Sequence, residues 1–318
     1  MSKQFLPNII RLSEILGYEN RCNDVVYCRP SIILEKPSLC VFFGGDIQDF
    51  TENMLSHRDN KNYVEWNLEN TSKLLQSSFA DSHIIVIRPA RMEYKSFSCY
   101  ENFLPCSKCG VPNHTFIHHG LEHLELIIQN VSRALRTMSN EDFNNAVEVS
   151  TNGLVLGTNS EEEVEVPKNI PFRDTLNFDD CDVTLIGFSK GCTVLNQFLY
   201  EFHHYKSDDK NEPNILKRIK TMYWLDGGHS GGKNTWITSL PLLKTFSTMG
   251  ISIYVHVSPY QVADIRRPWI KYEEKHFTDA LKKFGANINR TIHFVDVPSS
   301  VQTHFNVLKV FREINKDT

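Results

Sequence analysis

Apolar, β-branched runs recur along the chain as LCVFFGG (39–45), HIIVIRP (83–89), DVTLIGF (182–188), IKTMYWLDGG (219–228) and ISIYVHVSP (251–259). A sixth, TIHFVDVP (291–298), alternates more strongly. Continuous apolar strands bounded by Gly and Pro suit a parallel sheet covered on both faces. Helical patterns fall between and after these runs, at 63–78, 119–138, 191–205, 238–249, 269–284 and 304–314. Leu121, Leu124, Ile127, Ile128, Val131 and Leu135 keep the 3.6-residue spacing of one buried helix face. Strand and helix alternate, which predicts an α/β fold with a doubly wound, mostly parallel sheet and helices on both faces. Upstream of Leu39, VVYC and SIIL predict short edge strands or a hairpin.

Two stretches interrupt the alternation. Residues 90–118 are rich in aromatics, cysteines and prolines without a clean period, and either form a lid over a site or pack on the domain's flank. Residues 140–180 read as a polar insertion with an acidic cluster at Glu161, Glu162, Glu163 and Glu165. Such a cluster is a solvated segment or a docking surface for a basic protein partner. The whole chain, 1–318, reads as one domain carrying these two elaborations.

The third run ends in Gly187-Phe188-Ser189-Lys190-Gly191, a G-x-S-x-G with a strand before it and a helix after it. Small neighbours let a strand turn abruptly into a helix and lift a serine Oγ above the sheet. That is the arrangement of an α/β-hydrolase nucleophile, and it makes Ser189 the candidate catalytic residue. A glycine-rich turn with a helix-capping serine is the alternative.

Serine needs a base, and the base needs an orienting acid. In this fold both follow the nucleophile, acid before histidine, at the carboxyl ends of strands. His304, after the last strand, is the first candidate base, placed on a loop at the start of a helix; His229 is the runner-up. His256 and His293 lie inside expected strands. For the acid, Asp264 follows the next-to-last strand, and Asp226, in WLDGGH, is the alternative. An oxyanion hole would use the N–H of Lys190 and one from the loop after the first core strand, Gly45, with Asp46 close behind.

Composition narrows the function further. A charged fraction of 23%, a net charge of −4 and a pI near 6.4 give no basic footprint for nucleic acid. No apolar run is long enough to cross a bilayer. The first residues, MSKQFLPNIIRLSEILGYENR, read as an ordinary N-terminal helix in preference to an amphipathic import leader, because such leaders avoid acids. Eight cysteines without a secretory signal imply reduced thiols. Cys99, Cys106, Cys109 and His114 contain one C-x₂-C, half of a zinc knuckle; without a second pair they read as ordinary thiols, and neither metal nor cofactor is expected.

FFGGDIQDF, IVIRPARMEYKSFSCYENF, LIGFSKGCTVLNQ and QTHFNVL together resemble an animal family named after open reading frame 69 of human chromosome 2. The resemblance spans nearly the whole chain. It implies an α/β-hydrolase-like domain, a mitochondrial, matrix location (cytoplasmic as the alternative) and a nucleophile at Ser189. Two functions are thus expected to compete. One is a serine hydrolase acting on a small acyl substrate; the other is a non-catalytic protein that binds or regulates a metabolic enzyme.

Overall fold

The computed structural model describes residues 9–32, 34, 36, 38–155, 176–207 and 212–312. Ten strands are present among them: β1 (Ile9–Leu16), β2 (Cys22–Cys28), β3 (Ser38–Phe43), β4 (Ser82–Ile87), β5 (Arg91–Glu93), β6 (Phe97–Cys99), β7 (Asp182–Phe188), β8 (Ile219–Leu225), β9 (Ser252–Val257) and β10 (Ile288–Ile292). Eight of these make one sheet in the order β1-β2-β4-β3-β7-β8-β9-β10. Within that sheet β2 runs antiparallel to β1 and β4 and every other pairing is parallel; β5 and β6 pair antiparallel apart from it.

Alternation along each strand feeds two cores. Phe43, Leu185 and Trp224 point to one face, and Phe42, Ile186 and Tyr223 to the other. The first core is closed by helices Gly120–Thr137, Cys192–Ser207, Leu240–Ser247 and Pro268–Lys283. Leu68–Ser78 and Val301–Val310 close the second, through Leu68, Leu75, Val307 and Leu308. Strands β3 and β7 are neighbours, and the chain leaves them toward opposite faces: β3 leads to Leu68–Ser78, β7 to Cys192–Ser207. A crevice therefore opens at their carboxyl ends, where doubly wound sheets bind ligands.

Several expectations are corrected by long-range pairing. The N-terminal segment is not a helix but the edge strand β1, held by β2. A bulge between Leu12 and Ile15 lets both reach one core at a spacing of three, which imitates a helix. VVYC lies in β2, an interior strand, while Ser31 and Ile32 of SIIL form a bend. The last strand ends at Ile292, with Phe294 in the left-handed region (φ 57°). The expected insertion begins as a helix, Asn140–Gly153, which buries Phe143 and Val147. Its acidic cluster lies outside the described residues.

The aromatic segment packs behind the crevice. Tyr100 and Phe103 are buried edge-on against Phe43, with ring centroids 5.8 and 5.1 Å away. Tyr100 Oη–H donates to Gly44 O (3.0 Å) and Ser98 Oγ–H to Gly45 O (2.6 Å), so the segment braces the loop after β3. Cys99 Sγ–H donates to Lys108 O (3.4 Å). Among the described residues no group of three or more His, Cys, Asp or Glu side chains is placed to hold a metal ion. No helix among them is long and apolar enough to cross a membrane.

Candidate active site

Strand β7 ends at Phe188, and Ser189 follows with φ of 51°, a left-handed conformation that costs a non-glycine residue about 1–3 kcal/mol. The turn closes only because residue 191 lacks a side chain. A β-carbon there would sit 2.0 Å from Phe43 O on the neighbouring strand. The helix Cys192–Ser207 then carries Val194, Leu195, Phe198 and Phe202 into the core, and that burial holds the strained turn in place.

Asp226 follows β8 directly, also left-handed (φ 47°), with its N–H on His256 O at 2.6 Å. Its side chain is fully buried. Oδ1 accepts from Ser258 N–H (2.7 Å), and Oδ2 accepts from Ser258 Oγ–H (2.6 Å) and from His304 Nδ1–H (2.7 Å). Because a carboxylate only accepts, this bond assigns the proton to Nδ1 and leaves Nε2 as a base. The imidazole is clamped between Phe188 and Tyr260, with ring centroids 4.5 and 4.6 Å away.

The sequence pattern places His304 on a loop at the start of a helix. It lies in the first turn of Val301–Val310 instead, because Ser300 caps that helix reciprocally with Thr303. Ser189 and His304 face one cavity of about 310 Å³. Asp46, Tyr63, Tyr260, Gln261 and Arg267 also line it. No residue of the 90–118 segment does, so that segment supports the site without walling it. The Ser189 Oγ to His304 Nε2 link is not closed by a direct hydrogen bond among the described residues; such bonds commonly tighten only in the substrate complex.

Asp264 does not reach the histidine. Its Oδ1 accepts from Arg266 N–H (2.8 Å) and its Oδ2 from Arg267 Nε–H (2.8 Å), and the Arg267 bond first of all draws its pKa down to about 2. His229, the runner-up base, accepts at Nδ1 from Gly231 N–H (2.9 Å) and donates from Nε2 to Asn234 O (3.2 Å). Both nitrogens are engaged, and burial pushes its pKa down to about 4.

The oxyanion expectation also shifts by one residue. Gly45 N–H is already given to Gln48 Oε1 at 2.9 Å; Asp46 and Ile47 of that loop line the cavity, and the Ile47 N–H is given to Ser96 O at 2.7 Å, which leaves the Asp46 N–H. Lys190, whose side chain the sequence offers no use for, is buried. Its ammonium pairs with Asp46 Oδ1 (2.8 Å), donates to Cys109 O (2.9 Å) and lies 5.1 Å from the Phe97 ring centroid. It thereby ties the elbow to the loop after β3 and to the segment behind it. Burial raises the Asp46 pKa, and Lys190 opposes the shift.

Sequence reasoning missed Phe188, Tyr260, Ser258 and Gln48. Phe188 was visible inside the elbow motif itself. Ser258 and Tyr260 are carried by SPYQ, the turn that follows β9. Nothing local marks Gln48.

Sheet order, elbow and downstream acid–histidine pair define an α/β-hydrolase-like protein. A family model described as C2orf69 matches residues 11–287, and the chain belongs to that family. It is 38% identical over 284 residues to the Mus musculus protein named mitochondrial protein C2orf69 homolog, covering 85% of this chain and 77% of that protein. To mitochondrial protein C2orf69 of Homo sapiens it is 37% identical over 283 residues, covering 85% and 73%. Among solved structures it is similar to the esterase Est22, with a TM-score of 0.44 and 10% identity over 96% of this chain and 77% of that one.

Proposed function

We propose that the protein is a serine hydrolase that cleaves an ester or thioester of a small acyl substrate through an acyl-enzyme on Ser189. The observation that carries this reading is the 2.7 Å bond from His304 Nδ1–H to the buried Asp226, set beside a left-handed serine on a shared cavity. His304 Nε2 takes the Ser189 proton as Oγ bonds to the acyl carbon, and returns it to the departing alcohol or thiol as the C–O or C–S bond breaks. Asp226 holds the tautomer and stabilises the imidazolium. The N–H groups of Lys190 and Asp46 receive the oxyanion, and water then repeats the sequence to release the acid.

The names of the mouse and human relatives place those proteins in mitochondria. We extend that location, and a matrix address, to this chain.

A fluorophosphonate probe tests the chemistry. The expected result is one adduct, on Ser189, absent in Ser189→Ala and reduced at least about 100-fold in rate in His304→Ala. Folded protein that takes no label overturns the hydrolase reading and returns the non-catalytic binding role to first place.

A further inference from the structure

One polar side chain in the cavity has no work in the mechanism above. Gln261 is 3% exposed and lines the same cavity as Ser189, His304 and Tyr260. Its Oε1 is shut off from solvent and receives no hydrogen bond. The backbone is fixed, with Gln261 N–H donating to Ser258 O (3.1 Å) on the turn that also holds Asp226. The amide lies flat against Gly228. A β-carbon at residue 228 would stand 2.3 Å from Gln261 Nε2 and 2.4 Å from Oε1, so only glycine admits it. Gly228 N–H in turn donates to Ser189 O (3.3 Å). The unpaired Oε1 is therefore on a side chain packed one peptide away from the nucleophile.

A buried acceptor without a donor costs about 1–3 kcal/mol, and folded proteins keep few of them. Gln261 is held there by a glycine that makes room for it, beside the reacting centre. An amide side chain offers an acceptor and donors on one plane, and which end carries oxygen is set by what it meets. A secondary amide presents a matching donor and acceptor.

We propose that Gln261 is the specificity-determining residue of this cavity, and that it reads a secondary amide carried beside the scissile carbonyl. This rests on the hydrolase reading. It narrows the substrate class to esters or thioesters whose acyl part bears an amide.

The test compares two p-nitrophenyl esters, butyrate and N-acetylalanine, on wild type, Gln261→Leu and Gln261→Glu. Comparing each ester across variants cancels its intrinsic reactivity. Gln261→Leu is expected to lower kcat/KM for the N-acetylalanine ester about 10–100-fold and to change butyrate by less than about 3-fold. Gln261→Glu, which keeps an acceptor, is expected to restore part of the difference. Equal loss on both esters makes Gln261 a structural residue, and no loss on either means that solvent satisfies it; both outcomes overturn the proposal.

A second arm does not depend on turnover. In the Ser189→Ala protein, N-acetylalanine methylamide binding, followed by NMR titration, is expected to weaken at least about 10-fold on adding Gln261→Leu. Unchanged binding overturns the proposal even where Ser189 labels normally. Failed labelling with this binding difference intact overturns only the hydrolysis.

Discussion

Asp226 and Asp264 stand in loops after adjacent strands, each a carboxylate near the crevice, yet their neighbours give them different work. Asp226 comes immediately after β8, and its own N–H is held by His256 on β9, so strand pairing sets its direction. Asp264 comes seven positions after β9 ends, past the short helix Pro259–Val262, and its loop closes on Arg266 and Arg267. On the proposed hydrolase reading, the acid is chosen by how rigidly the sheet aims it, not by which strand precedes it. A carboxylate with two arginines has its charge spent locally; one with Ser258 and a histidine can still act through that histidine.

The sharpest way to break this comparison is to neutralise each acid in turn. Asp226→Asn removes the acceptor that holds the His304 tautomer, and the rate of ester hydrolysis is expected to fall about 10⁴-fold. Asp264→Asn is expected to stay within about 3-fold of wild type. Ser258→Ala, measured in the same assay, takes one donor from Asp226 Oδ2 and is expected to cost about 10–100-fold, the worth of a hydrogen bond to a charged group. Lys190→Met leaves Asp46 without its cation, with the Ser98 N–H (2.8 Å) as its remaining donor. A fall in melting temperature of about 4–8 °C is expected by calorimetry, with the double change Lys190→Met/Asp46→Asn recovering part of it.

Acid titration separates the buried histidines from Asp264 by their pH windows. Four buried histidines, His83, His123, His229 and His256, are held neutral by burial, with pKa values pushed down to about 4, 3, 4 and 3. Their folded values lie below the unfolded 6.5, so the stability involved is complete above pH 6.5 and drains as pH falls toward 4 and 3. Each removes about 1.4 kcal/mol per pH unit of fall within that window. Asp264 acts lower: its stabilisation is present above 3.8 and is lost as pH falls toward 2. Urea midpoints measured against pH are expected to decline in wild type from pH 6.5 downward. Asp264→Asn is expected to lower the midpoint evenly above about pH 4 and to flatten only the final part of the decline, the smallest effect of the set.

How much of this was legible depended on how local each cause is. Five apolar runs became β3, β4, β7, β8 and β9, because a strand buried on both faces needs an apolar residue at every step. Ser189 was readable because its turn needs glycine on both sides within five residues. By contrast, Asp226 meets Ser258 and His304 across 32 and 78 positions, and no short window records such pairings. The same holds for Gln48, whose side chain is aimed at the Gly45 N–H because its Nε2 donates to Trp66 O and Thr71 Oγ1, 18 and 23 positions further on. The bulge in β1 shows the opposite failure, a local spacing that imitates a helix while the partner strand decides otherwise.

The most direct test of the central claim, that an Asp226–His304 pair drives Ser189, is the rate of fluorophosphonate labelling of Asp226→Asn and Asp264→Asn side by side. Labelling of Ser189 at near wild-type rate in Asp264→Asn, with a loss of about 10³-fold or more in a folded Asp226→Asn, is the expected result. Equal rates in the two variants, or the larger loss in Asp264→Asn, would contradict it.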